Sequence, residues 1–402
     1  MRYDTGMAKQ NTHLEHLEDD ILNNGSDGGR NAIAFLRELG TMLNEPDSGI
    51  RITTKWDGAP AVICGRHPGT GNFFVGTKGV FAKMPKICVS EGDVDQWYQG
   101  ELASKLKTCL KLLPKLKING VLQGDLLFTN DVRTAKINGQ QCVIFRPNTI
   151  TYAIPTNSLI GNKVKNAKLG IVFHTHYTGG PLLSDMKAGF GVDVSGMQNV
   201  SDIAVFSSNF TDATGASRMS NTEFNSYTAA VNRAEGSLRQ ASSFLDILKQ
   251  TGDGKFLLSA MFKVYFNSFI RQGKSITNAQ AVAKGFEKFY SDALQKEIDS
   301  KKTPAAKSKY EKIQNDGLKF IRSYNRAIYM TVASYMNLTT AKTMIIRKLE
   351  QVKDIGTYIQ TDNGFRVTAP EGFVAIKSGS ALKLVDRLEF SRANFTVEKN
   401  WG

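Results

Sequence analysis

The sequence predicts an α+β fold in which strands near the two ends of the chain flank a large all-helical insertion. Three observations carry that expectation. Short β-rich runs bounded by Gly, Pro and Asn recur from Ile50 to about Tyr177, and again from 355 to 398. Between them, from about 221 to Lys353, apolar residues recur at the 3.6-residue period of helices. The chain has 402 residues, 41% hydrophobic and 22% charged, which is enough for a sizeable core and excludes disorder throughout. The expected division is 1–180, 181–354 and 355–402, the first and last segments forming one domain interrupted by the second.

The first 45 residues read as two helices. His13, Leu14, Leu17, Ile21 and Leu22 recur at helical spacing, with Asn11 or Thr12 as a cap. Asn24-Gly25 and Gly28-Gly29 interrupt the pattern, and Ala32, Ile33, Phe35, Leu36 and Leu39 resume it. Strands follow at Ile50 to Thr54, Ala61 to Ile63, Phe73 to Val75, Val121-Leu122, Gln141 to Phe145 and Gly170 to Phe173. Pro68 to Asn72 marks a hairpin between two of them, and one helix runs from about Trp97 to Leu113. Residues 178–220, rich in Gly, Ser, Asn and Asp, read as a connection. Phe244 to Leu248, Phe262 to Phe269 and Phe286 to Leu294 lie on helices, and Thr357 to Ile359, Phe365 to Thr368, Gly372 to Ile376 and Ala381 to Val385 return to strands.

Charge narrows the partners. The net charge is +14, and residues 261–350 alone hold 17 Lys and Arg against 7 Asp and Glu. Residues 1–50 are acidic, with 9 carboxylates against 4 cations. A regional basic excess of this kind fits nucleic acid. Lys301, Lys302, Lys307, Lys309 and Lys312 are the candidate phosphate contacts, in a run that also holds Lys296, Lys319, Arg322 and Arg326. The interleaved Phe320, Tyr324 and Ile328 fall at four-residue steps and belong to the core. No apolar run approaches the ~20 residues of a membrane span. The acidic N-terminus lacks an apolar leader, and Cys64, Cys88, Cys109 and Cys142 are widely spaced, so a cytoplasmic protein with reduced thiols and no structural metal is expected.

The sharpest chemical segment is Lys55-Trp56-Asp57-Gly58. A lysine ending a β-run ahead of an Asp-Gly turn suits covalent chemistry once its amine, with a free pKa of about 10.4, loses its proton. In this order, further segments resemble the covalent nucleotidyltransferase superfamily of ATP-dependent DNA and RNA ligases and mRNA-capping guanylyltransferases. Lys55 to Gly58 is similar to motif I. Phe74 to Gly79, with Lys78, resembles motif Ia of the phage RNA-ligase branch. Val121 to Leu127 resembles motif III, with Asp125 where the family usually has Glu. Gly170 to Thr175 resembles motif IIIa, Pro370 to Ile376 motif IV, and Ala381 to Val385 motif V, with Val385 in place of its second lysine. The short spacing from motif IV to motif V, and only about 17 residues beyond it, favour the RNA ligases over DNA ligases.

The resemblance implies a ligase-type adenylation domain built of antiparallel sheets. Lys55 would form a lysyl-AMP adduct from ATP, and Mg²⁺ would be held by Asp125 and Glu371. Lys383 would stabilise the α-phosphate, Lys78 would contact phosphate, Asp57 would orient the loop with Gly58, and Phe173 would stack on the purine. AMP would then pass to a 5′-phosphate and a 3′-hydroxyl would seal the strand. Alternatives are an enzyme that only transfers AMP or GMP to an RNA end or a protein, and a nucleic-acid-binding protein with a decayed site. Strand periodicity places Gln123, Asp125 and Leu127 on one face, and sets Phe173, Thr175 and Tyr177 opposite His174 and His176. The His-x-His pair lacks an evident third ligand, so packed or surface histidines are expected.

Overall fold

A computed structural model describes residues 16–44, 51–137, 139–209, 217–248, 250–252, 254–352, 356–361, 364–367, 372–377 and 380–387. A single 3₁₀ turn at Leu17–Asp19 leads into α1 (Asp20–Asn23) and α2 (Gly25–Asn44). Gly25, at φ +64°, makes the left-handed joint between them. Gly28 and Gly29 lie inside α2 rather than breaking it. A Cβ at Gly28 would come within 2.0 Å of the Asp20 carbonyl oxygen, and one at Gly29 within 2.6 Å of Leu238, so these glycines permit close packing.

The strand-rich part begins with β1 (Arg51–Lys55), β2 (Ala61–Arg66) and β3 (Phe73–Gly76), the last two joined by the expected hairpin, where the His67 amide donates to the Asn72 carbonyl at 2.9 Å. Helices α3 (Glu91–Trp97) and α4 (Gly100–Leu112) follow, then β4 (Val121–Phe128), β5 (Arg133–Ile137), β6 (Gln140–Phe145) and β7 (Thr151–Pro155). Next come α5 (Leu159–Asn166), β8 (Leu169–Thr178), β9 (Lys187–Phe190) and β10 (Ile203–Ser207). The helical block comprises α6 (Asn221–Leu248), α7 (Leu258–Arg271), α8 (Ala279–Ser300), α9 (Pro304–Ser323) and α10 (Asn325–Leu349). The chain returns to strands in β11 (Gly356–Thr361), β12 (Gly364–Val367), β13 (Gly372–Lys377) and β14 (Ser380–Leu384).

Among the described residues these strands form three sheets. One has the order β1-β13-β14, a second β10-β8-β4-β2-β3 with β9 on β8, and a third β12-β11-β7-β6-β5. All pairings are antiparallel except β10 with β8. The architecture is therefore α+β with largely antiparallel sheets.

Two expected boundaries move. The 178–220 connection contains β9 and β10, which close the β8 edge; their short apolar runs are diluted by surrounding polar and glycine residues. The N-terminal helices belong to the helical body, because α2 buries Phe35, Leu36 and Leu39 in the same core as Tyr227, Leu238, Phe244 and Ile345. The Tyr227 hydroxyl also donates to the Leu36 carbonyl. An apolar stripe reveals that a helix has a buried face, but not which distant helix covers it. Phe320 and Tyr324 pack on Phe244, as their spacing predicted. All four cysteines are buried free thiols. Among the described residues no helix is long and apolar enough to cross a membrane.

Candidate active site on the lysine face of the three-stranded sheet

The three-stranded sheet has two unlike faces, set by its register. Ile52 pairs with Ala375 and Ala375 with Leu382; these residues, with Phe373 and Leu384, pack on the helical body. Across the other parity, Thr53 pairs with Val374 and Val374 with Lys383. Directly opposed residues share a face, as do residues two apart on one strand. Lys55 and Lys383 therefore project from the same face, the one turned away from the helices. On its outer side β1 is bridged to the segment after β10, the Thr54 amide donating to the Ser208 carbonyl at 2.7 Å.

The loop after Lys55 is held from both sides. Trp56 is buried against Tyr152 and Phe206. The buried Asp57 carboxylate accepts from the Thr149 amide at 2.7 Å, the Ile150 amide at 2.8 Å and the Asn148 side chain at 2.8 Å. The Tyr152 hydroxyl accepts from the Asp57 amide at 2.7 Å. Burial pushes the Asp57 carboxyl above its ordinary range, opposed by these bonds and by the charge of Lys55. Asp57 thus fixes the loop, as expected, but through amides more than 90 residues away rather than its own turn. Gly58 lies directly on β4, where a Cβ would sit 2.5 Å from the Asp125 Cβ. The Ala59 amide and Pro60 carbonyl then pair with Leu126 at 2.9 and 3.0 Å.

These contacts bring Asp125 beside the lysine loop, and His174 joins it. On β8, Gln123 faces Thr175 and Gly124 faces Phe173, so His174 occupies a bulge with no partner across the ladder. Val172 faces Asp125, so His174, two residues on, stands on the Asp125 side, its Nε2 3.5 Å from Asp125 Oδ1. Its Nδ1 lies 2.8 Å from the Thr175 hydroxyl. The Tyr177 hydroxyl, donating to Gln123 Oε1 at 2.6 Å, marks the same face. Nothing in the local sequence announces the bulge: strict alternation rightly sets His174 opposite Phe173, but wrongly keeps Thr175 and Tyr177 on the Phe173 face. Among the described residues no three His, Cys, Asp or Glu side chains gather as a metal site.

Phe173 requires a correction. It is 0% exposed and lies on the opposite face, packed with Leu122, Leu126 and the α4 residues Leu106 and Cys109. Gly124 leaves room for its ring, since a Cβ there would meet Phe173 Cδ1 at 2.9 Å. A ring with no free face cannot stack on a purine, so Phe173 is a core residue. Phe173→Ala is accordingly expected to cost about 3–5 kcal/mol in denaturant unfolding. Nucleotide affinity of the folded fraction should stay unchanged; selective loss of affinity without destabilisation would restore the stacking role.

The remaining expected residues divide. Lys78 is exposed in the turn after β3, and β3 leaves its sheet opposite Ile63, so Lys78 lies at the end of the sheet where Ala61 pairs with Asp125. Val385, in place of a second motif V lysine, is buried. Glu371 lies outside the described residues. Of the basic cluster, Lys302, Lys307, Lys309 and Lys312 are exposed at the α8–α9 turn and along α9. Lys301 is engaged within the chain, 2.5 Å from Glu297 and over the Tyr310 ring.

The cluster of Lys55, Lys383 and Asp125 is thus assembled from strands far apart in sequence. No curated protein and no solved structure matches the chain. A family model does match, over residues 11–399, nearly the whole length. The chain belongs to that family, a family of unknown function designated DUF6267.

Proposed function

We propose that this protein is an ATP-dependent polynucleotide ligase of the covalent nucleotidyltransferase type, with RNA ends as the favoured substrate. The observation that carries the reading is the register of the three-stranded sheet. It sets Lys55 and Lys383 on one face, beside a loop that rests on Asp125.

In this reading Lys55 Nζ, as the free amine, attacks the α-phosphorus of ATP. A P–N bond forms, the P–O bond to the β-phosphate breaks, and pyrophosphate leaves with that electron pair while the amine proton passes to solvent. Lys383 balances charge on the α-phosphate oxygens as it builds. The fixed Asp57 loop limits the motion of Lys55, so orientation is established before substrate arrives. A Mg²⁺ ion keeps several waters and takes one or two carboxylates besides the substrate phosphates, a requirement that Asp125 fits. When bound, the ion neutralises phosphate charge. AMP then passes from Lys55 to a 5′-phosphate, and a 3′-hydroxyl displaces it to join the strands.

The test uses protein stripped of bound nucleotide and incubated with α-labelled ATP and Mg²⁺. An acid-labile label on the protein is expected, followed by sealing of nicked or single-stranded RNA. Label without sealing would reduce the activity to transfer of a nucleotide to an RNA end or a protein, and no label would exclude both enzymes. The burial of Phe173 favours one second reading, a nucleic-acid-binding protein on a ligase-like scaffold, which requires RNA binding with no label.

The grip on the strand is assigned to α9 and the turn before it. Neutralising Lys302, Lys307, Lys309 and Lys312 together is expected to weaken RNA binding and lower its log–log salt slope by up to about 3, at about 0.7 per phosphate contact. Adenylation should be unaffected. An unchanged slope would assign these lysines to an ordinary solvated surface.

A further inference from the structure

We propose that His16 is a phosphate-binding residue, its imidazole donating to an oxygen of the pyrophosphate portion of a nucleoside triphosphate; the assignment rests on the ligase reading for the identity of that ligand. His16 makes a parallel bridge to Lys383, on the side of β14 away from β13. Bridged residues share a face, so the imidazole stands on the lysine face, extending the row Thr53, Val374, Lys383 by one position. The next residue, Leu17, turns the other way into the helical core, as alternation requires.

The imidazole is left incomplete there. Its Nδ1 is buried and has no hydrogen-bond partner among the described residues, an arrangement that costs free energy unless something supplies the bond. Burial and the cations Lys342, Arg387, Lys383 and Lys55 hold His16 well below its ordinary pKa. Lys383 and Lys55 bring positive charge to the imidazole's own face. A neutral imidazole with one N–H, set among cations, disfavours another cation and suits an anionic oxygen. A phosphate held at Lys383, as the ligase reading requires, supplies the acceptor that the orphan nitrogen lacks. On the row of the sheet His16 lies beyond Lys383, the side opposite to Lys55, where the groups leaving the α-phosphorus can be held.

The test uses the full chain, with inorganic pyrophosphate as the probe and calorimetry as the readout. His16→Leu is expected to weaken pyrophosphate binding about ten- to a hundredfold, the usual effect of a charge-assisted hydrogen bond. His16→Asn, which keeps a donor near Nδ1, should recover most of it. Equal affinity of the Leu variant and wild type would overturn the proposal, and so would equal losses in both variants. If His16→Leu fails to fold, histidine-selective ¹⁵N NMR of the wild type decides, since pyrophosphate must shift the His16 nitrogens. The two readings fail separately. Absence of adenylation with His16-dependent pyrophosphate binding would remove the ligase and keep the phosphate site, whereas adenylation with His16-independent binding would do the reverse.

Discussion

Lys55→Ala is expected to abolish labelling of the protein by α-labelled ATP, a loss on the order of a thousandfold or more, because the proposed mechanism forms the phosphoramidate on the Lys55 amine. Lys55 is half-buried at the end of β1, outside the apolar face that packs on the helices, so the melting temperature should stay near that of the wild type. Lys383→Ala should leave a measurable label but slow its appearance by about 10²–10³-fold, as removal of one transition-state charge contact does. Label retained in Lys55→Ala would place the nucleophile elsewhere. Equal abolition in both variants, with lost structure, would instead assign the pair a packing role.

A large effect on stability, matching that of Phe173→Ala, is expected at Glu18 and Lys342. Both side chains are 1% exposed and the ammonium lies 2.6 and 2.7 Å from the two carboxylate oxygens. Removing one partner strands a buried charge, so Glu18→Leu or Lys342→Met should each cost about 3–5 kcal/mol. The double variant Glu18→Leu with Lys342→Met should recover most of that loss, since an apolar pair needs no desolvation of ions. Urea unfolding of the four proteins checks this; additive losses would show that the pair contributes no mutual compensation. The site should respond as well. Glu18 lies two residues from His16, and the adjoining Asp19 accepts from Arg387 at 3.0 Å and from the Tyr335 hydroxyl at 3.1 Å. These bonds fasten the segment that edges β14 to α10. Burial raises the Asp19 carboxyl above its ordinary range against the pull of Arg387, and pushes the Tyr335 phenol well up.

Much of the architecture was legible along the chain. The β-runs at Ala61 to Ile63, Phe73 to Val75 and Gly372 to Ile376 became strands because β-branched and aromatic residues there lie between turn formers. The helical stripes of α6, α7 and α8 were equally plain. Less visible were β5, β7 and α5, which are short and mix polar with apolar residues. Their membership is decided by neighbours in the five-stranded sheet and by the Ser158 cap on α5. Thr175 and Tyr177 were misplaced relative to Phe173 because one bulge at His174 inverts every later residue of β8 relative to strict alternation.

Alone, the sequence determined the lysine before its Asp-Gly turn, the order of the strands that carry charged residues, and the concentration of positive charge between 261 and 350. Those are properties of local spacing and composition, which a linear chain states directly. Tertiary structure decided which residues meet. Cross-strand register put Lys55, Lys383 and His16 on one face, a bulge brought Thr175 and Tyr177 to the face of His174 and Asp125, and packing against α4 withdrew Phe173 into the core. The α+β outline was thus readable from local periodicity. The composition of the site depended on pairings between segments more than 300 residues apart, where a shift of one residue exchanges a core side chain for a functional one.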